Sequence, residues 1–248
     1  MRKSLHLLGP LLSTAGLLSA CGGGNTDSSV SAPGADESAK TRLLETGADL
    51  LQAKAPLRKL DAYLNGLHFA SGDMRSQMEA HHYCGHLNEE VIQCALFDGN
   101  EGNAKLVGVE YIISAALFAK LPASEKHLWH SHAFEVKSGQ LIAPGIPDVA
   151  EHELMEKIVG TYGKTWHTWH TDQEQELPLG IPMLMMGFTS DGQADEARVR
   201  DRDGRFGVSS ADKREQRNDI VAPTVDADAD AWQKGIAPQL KTEIAKPK

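Results

Sequence analysis

The chain reads as a single α+β domain, with a mainly antiparallel sheet of about six strands and helices packed on one face. Three observations lead there. Short runs alternate apolar and polar residues between turn residues, other segments carry helical spacing, and the two kinds are mixed without strict βαβ order. Of the 248 residues, enough remain after an N-terminal leader and a Gly/Ser-rich stretch for one domain with a substantial core.

The first element is not part of the domain. Arg2 and Lys3 precede a broken apolar stretch over residues 5–18, and Ser19-Ala20-Cys21 follows. This is the layout of a bacterial secretory signal peptide over residues 1–20, ending in small residues before a cysteine as a lipoprotein box does. It predicts that Cys21 is acylated, with palmitate among its chains, and that the lipoprotein is held in a membrane, each buried methylene contributing about 0.8 kcal/mol. Gly22 in place of Asp directs the expectation to the outer membrane of a bacterial envelope. The apolar run is too short for a transmembrane helix, and no later segment approaches the ~20 apolar residues of a span. Residues 21–40 are rich in Gly, Ser and Ala and read as a flexible tether.

The domain then occupies residues 41–220. Residues 41–69 have leucines at helical spacing, with Pro56 dividing two helices. Residues 79–87 and 90–97 alternate as the strands of a hairpin around Asn88-Glu89, 105–114 form a third strand and 134–142 a fourth. Short helices are expected over 116–121 and 124–129, with Ser124 as N-cap. Residues 148–162 read as a helix stopped by Gly163, 164–171 and 183–189 as two further strands, and 195–206 as a helix. The chain then turns charged and rich in Pro and Asp, so residues 221–248 read as a poorly ordered tail.

The formal charge is −9, and loss of Arg2 and Lys3 makes the mature form more acidic. Nucleic acid is therefore excluded as a partner bound through bulk charge. The membrane, through Cys21, and lipid are the expected partners.

The chemistry concentrates in histidine. Nine of the 11 histidines lie between His81 and His170, in tight groups. Histidine is costly to bury without a partner and is the commonest metal ligand. On a strand, alternate side chains share a face, which places His82, Cys84 and His86 together and gives His130 and His132 the same spacing. With His167 these form the candidate ligand set for zinc or another transition metal; Cys84 and His152 are lesser candidates. Glu135, Glu151 and Glu153 are the candidate general bases. A structural or ligand-contact role for the same histidines is the competing reading, because no H-E-x-x-H or C-x-x-C motif is present. Cys84 and Cys94 face each other if the hairpin forms; a disulfide, free thiols, or Cys84 as ligand are all open.

The blocks HHYCGHLNEE, GVEYIIS, LWHSHAFEVKSG, EHELMEKIVGTYGKTWHTW, LPLGIPMLMMGFT and DRDGRFGVSSADKREQR together resemble the oil body-associated protein family over roughly residues 43–220. The plant members associate with seed lipid droplets. The resemblance implies a soluble domain acting next to lipid and carries over no catalytic residue. It departs in the leader and Cys21, which the plant proteins lack. They also carry cysteines at places like Cys84 and Cys94 in a reducing cytosol, which argues against a disulfide. The sequence thus leads to a lipid-anchored protein that binds lipid or an envelope component without catalysis, the alternative being a metal-dependent hydrolase or metal carrier.

Overall fold

The computed structural model describes residues 24–243; the expected signal peptide and Cys21 lie outside them. Seven strands form one antiparallel sheet: β1 (Ala62–Ala70), β2 (Asp73–Asn88), β3 (Val91–Phe97), β4 (Leu106–Ser114), β5 (His130–Ser131), β6 (Thr161–His167) and β7 (Met183–Met186). Their order is β4-β3-β2-β1-β7-β6-β5, and β6 also pairs with β4 from Gly108↔His167 to Ser114↔Thr161. That last pairing closes six strands into a barrel. The expectation of an open sheet with helices on one face is corrected here: closure removes the sheet edges and creates an inside, which a small barrel fills with side chains.

Cross-strand pairs fix what points inward. Leu64 faces His82, Cys84 faces Cys94, Cys94 faces Glu110, and Glu110 faces Thr165. Alternation then places Gly66 and His68 of β1 and His167 of β6 on the same interior surface. The sulfurs of Cys84 and Cys94 are bonded, S–S 1.98 Å, with the two residues 10 apart in sequence.

Several elements differ from the sequence expectation. The second helix expected within residues 41–69 is instead β1. Leu57, Leu60, Leu64 and Leu67 have helical spacing, but β1 is covered on both faces, so its polarity does not alternate cleanly. The α-helix there is α1 (Ala39–Leu51), capped by Ser38 through the Thr41 N–H, and a single 3-10 turn over Leu57–Lys59 leads into β1. The strand expected over residues 134–142 is α4 (Ala133–Lys137), followed by a bridge from Ile142 to Asn65. Short helices α2 (Ala115–Phe118) and α3 (Ala123–Lys126) precede β5, and α3 is preceded by Pro122, not capped by Ser124. Helix α5 (Asp148–Ile158) stops before Gly163, which lies within β6 opposite Ile112.

Helix α6 (Glu196–Phe206) lies against β1 and β2, with Arg205 pairing with Glu79 and Phe206 beside His81, and α7 (Ser210–Gln216) sits against α5, with Lys213 pairing with Asp148 and Glu151. Arg202 of α6 is fully buried, donating to Asn65 Oδ1 at 3.0 Å and to the Gln140 carbonyl at 2.7 Å. Arg217 is buried likewise, donating to the carbonyls of Val136 (2.9 Å) and Leu141 (2.8 Å). The chain beyond residue 220, expected as a loose tail, packs against the barrel as far as residue 239. Trp232 meets Phe69 edge-on with ring centroids 5.0 Å apart, and Gln239 donates to the Ser71 carbonyl at 3.0 Å. Part of the expected tether is also tied down. The Thr26 N–H donates to Asn100 Oδ1 at 2.6 Å, and the Asn100 N–H donates to the Thr26 carbonyl at 2.9 Å.

The Cys84–Cys94 bridge links adjacent strands at the barrel's inner wall. Its removal in a Cys84→Ala/Cys94→Ala variant is expected to lower the unfolding free energy by about 2–3 kcal/mol, read from urea denaturation.

Candidate metal centre

Glu110 is the unusual residue of β4. The strand's inward positions are Gly108, Glu110 and Ile112, so closure carries a carboxylate into the barrel, where it is 1% exposed. A buried carboxylate is expensive unless partnered, and here the partners are imidazoles. Glu110 Oε2 lies 2.9 Å from His82 Nε2 and 3.7 Å from His68 Nε2. Oε1 lies 3.1 Å from His132 Nε2 and 3.5 Å from His130 Nε2. The four rings come from β1, β2, β5 and the residue following β5. His167 of β6 packs edge-on to His68, ring centroids 5.7 Å apart. Glu135 of α4 completes the cluster. Two sets, His68/Glu110/His130 and His130/His132/Glu135, each have ligand atoms within 4.8 Å of one another, and all five residues are buried.

Proton positions follow from the partners on the far side of two rings. His82 Nδ1 faces the Ala80 carbonyl at 3.0 Å, which can only accept, so Nδ1 carries the hydrogen. His132 Nδ1 faces Thr161 Oγ1 at 2.8 Å, and that hydroxyl donates to the Ile158 carbonyl at 2.7 Å. Thr161 therefore accepts from His132. That leaves Nε2 of each ring directed at a Glu110 oxygen, the place for either a proton shared with the carboxylate or a bound cation. Lone pairs facing across such distances repel unless a proton or a cation lies between them. An Nδ1–H held by a carbonyl or hydroxyl, with Nε2 directed at a common centre, is how metal-ligating histidines are oriented.

The other rings supply unsatisfied nitrogens. Both nitrogens of His130, both of His167 and Nδ1 of His68 are buried without a hydrogen-bond partner, each costing about 1–3 kcal/mol if left so. Burial outweighs the attraction of Glu110 and holds His68 well below the usual histidine range; it depresses His130 and His167 to about 3. These rings are neutral at pH 7, with lone pairs free to ligate. Burial alone would raise the Glu110 carboxyl, but the imidazoles of His132 and His82 outweigh it and hold the group well below its usual range. Burial, reinforced by Glu110 and Asp230, pushes Glu135 well above that range.

Glycines make the room. A Cβ on Gly163 would stand 2.1 Å from Glu110 Oε1 and 2.8 Å from His132 Nε2; one on Gly187 would stand 2.9 Å from His130 Cδ2 and 3.0 Å from Glu135 Oε1.

Of the sequence candidates, His82, His130, His132, His167 and Glu135 meet in this interior. His86 does not: it is exposed, beside the irregularity between His86 and Asn88 where β2 leaves the barrel. Cys84 faces inward but is bonded to Cys94. Glu151 is buried elsewhere, accepting from the Ala143 N–H at 2.9 Å and from Arg217 at 3.1 Å. Glu153 is exposed, and His152 pairs with Asp219 at 3.0 Å. Two central residues, His68 and Glu110, are absent from the sequence candidates. A lone carboxylate in the apolar run LVGVEYIIS was the available signal for the second; His68 lay in a segment with helical spacing.

Two outcomes follow. Gly163→Ala is expected to displace Glu110 and cost about 1–3 kcal/mol of stability, measured by urea denaturation. Asp230, at positive φ and accepting from the Ser131 N–H at 3.1 Å, is raised by burial to about 7. A carboxyl raised in the folded state contributes stability that is lost as pH rises from the ordinary Asp value through about 7. Asp230→Asn keeps the accepting oxygen and removes the titration. Its melting temperature, relative to the parent protein, is expected to rise between about pH 4 and pH 7.

Comparison with known proteins accords with this domain. Residues 54–221 match the family model described as "Protein of unknown function (DUF1264)". Oil body-associated protein 1A of Zea mays is 45% identical over 217 residues, covering 87% of this chain and 90% of that protein. Oil body-associated protein 1B of Arabidopsis thaliana is 40% identical over 225 residues, covering 90% and 93%. Oil body-associated protein 2A of Zea mays is 37% identical over 212 residues, covering 83% and 84%. No solved structure matches the chain. With matches of this extent, the chain belongs to the oil body-associated protein family, whose biochemical role is unknown.

Proposed function

We propose that the barrel is a container for one divalent transition-metal ion, ligated by Glu110 and by histidines from the set His68, His82, His130 and His132. The observation that carries this is the pair of rings whose Nδ1–H groups are held by Ala80 and Thr161, so that both Nε2 atoms face one carboxylate. An imidazole and carboxylate donor set suits zinc, iron, copper, nickel or manganese. Such an ion, when bound, supplies Lewis acidity and, for the redox-active metals, electron transfer. Burial favours the protonated form of Glu135, which suits it to holding a proton rather than to acting as a base.

The membrane reading concerns the exterior. The space beside Glu110 and its histidines is tightly occupied, with no room for an acyl chain. We propose that the protein is anchored to a bacterial outer membrane through acylated Cys21; the leader supports this, and the relatives' names associate those proteins with oil bodies. The leucines of α1 support it further. Leu43, Leu44, Leu50 and Leu51 are 63–87% exposed, and α1 has no buried residue. An apolar stripe this open is suited to lying against a lipid surface.

The test is metal content by elemental mass spectrometry on untagged protein purified without chelator. About one equivalent is expected in the parent protein, with loss of the metal in His82→Ala/His132→Ala and in Glu110→Gln. Protein that stays metal-free after reconstitution with zinc, iron, copper, nickel and manganese would overturn the proposal.

A further inference from the structure

Beside the cluster lies a small internal cavity. One wall is aliphatic, from Leu64, Ile112, Leu141 and Ile158; the other is formed by the inward edges of Glu110 and its histidines. It has room for about one water molecule. The space exists because β1 passes with Gly66 at this point. A Cβ there would stand 3.2 Å from Leu141 Cδ1 and 3.7 Å from His82 Cε1. The facing residue on β2 is Ala80, also small. No side-chain nitrogen fills the space, although five histidines surround it or lie near it.

Resting on the metal-site reading above, we infer that the bound ion keeps one coordination position open toward this cavity and takes there an exogenous ligand of one or two heavy atoms, such as water, hydroxide or a diatomic. A site with every position filled by protein is structural, whereas an open position is what lets a metal centre react. The aliphatic wall sets the size limit: it can form no hydrogen bond to a larger polar ligand, and interiors packed at this density do not yield by whole methylenes. The barrel therefore selects by volume, admitting small uncharged or singly charged molecules and rejecting organic substrates such as esters or peptides. A hydrolase acting on large substrates is thereby disfavoured at this site.

The experiment uses the cobalt(II)-loaded protein, whose visible bands report both uptake of the ion and changes in its coordination. Nitric oxide serves as the diatomic probe, azide as the triatomic and imidazole as the bulky one. In the parent protein nitric oxide is expected to change the bands and imidazole to leave them unaltered. Gly66→Ala narrows the cavity and should weaken nitric oxide binding about tenfold or more at unchanged cobalt content, while Leu141→Ala widens it and should strengthen azide binding by a similar factor. Should Gly66→Ala fail to fold, Leu141→Ala decides alone. Cobalt bands indifferent to nitric oxide in both the parent and Leu141→Ala, or bands that respond equally to imidazole, would overturn the open position and leave the metal site standing. Failure to take up cobalt would overturn both.

Discussion

A carboxylate enclosed in a closed barrel constrains everything around it. Glu110 reaches the interior because β4 alternates and because β4 pairs with β6, so its position is a consequence of closure. Once there it must be neutralised or bound. The sequence meets that demand with imidazoles from different elements, which can gather only if the strands bearing them are neighbours around the barrel. It also requires glycine where Gly163 and Gly187 pass within reach of the cluster. Losing an imidazole takes a partner from the buried charge, and losing a glycine takes the room the cluster needs.

The same constraint divides the molecule into an inside for chemistry and an outside for location. Inside, depressed histidines and a raised Glu135 keep the formal charge low, and Glu110 alone carries a negative charge toward its rings. Outside, the ion pairs are ordinary and mostly exposed, and exposed pairs contribute little to stability. Arg202 and Arg217 are among those that are buried. Their guanidinium groups are spent on backbone carbonyls and on Asn65, Ser210, Asp203 and Glu151, stapling α6, α7 and the turn after α4 to the barrel wall. These are structural uses of charge, and Glu151 belongs among them rather than with the site.

Much of this was legible in the sequence, and the failures have physical causes. The hairpin strands around Asn88-Glu89 and the strand ending at Ser114 alternate in polarity, so they announce themselves. So do His82, His130, His132 and His167, because histidine is rarely placed in apolar surroundings without a purpose. What escaped was whatever depends on closure. β1 is buried on both faces and carries leucines at helical spacing, so His68 lay in a segment that reads as helix. Whether β4 finds β6, and so whether Glu110 faces a core or solvent, is a property of the whole sheet and of no local window. His86 shows the converse: it shares a face with His82, but β2 outruns the barrel before reaching it. Phe134 and Val136 alternate as a strand does, yet five residues are too few for periodicity to distinguish strand from helix. The leader and Cys21 remain expectations of sequence alone.

The most direct test of the central claim is the X-ray absorption spectrum of the metal-loaded protein at the edge of its bound ion. A centre built on Glu110 and its rings predicts a first shell of nitrogen and oxygen only, with the strong outer-shell scattering of several imidazoles. That scattering should diminish stepwise in His82→Ala and His132→Ala. A shell containing sulfur, or one of oxygen without imidazole scattering, would put the metal elsewhere and contradict the account.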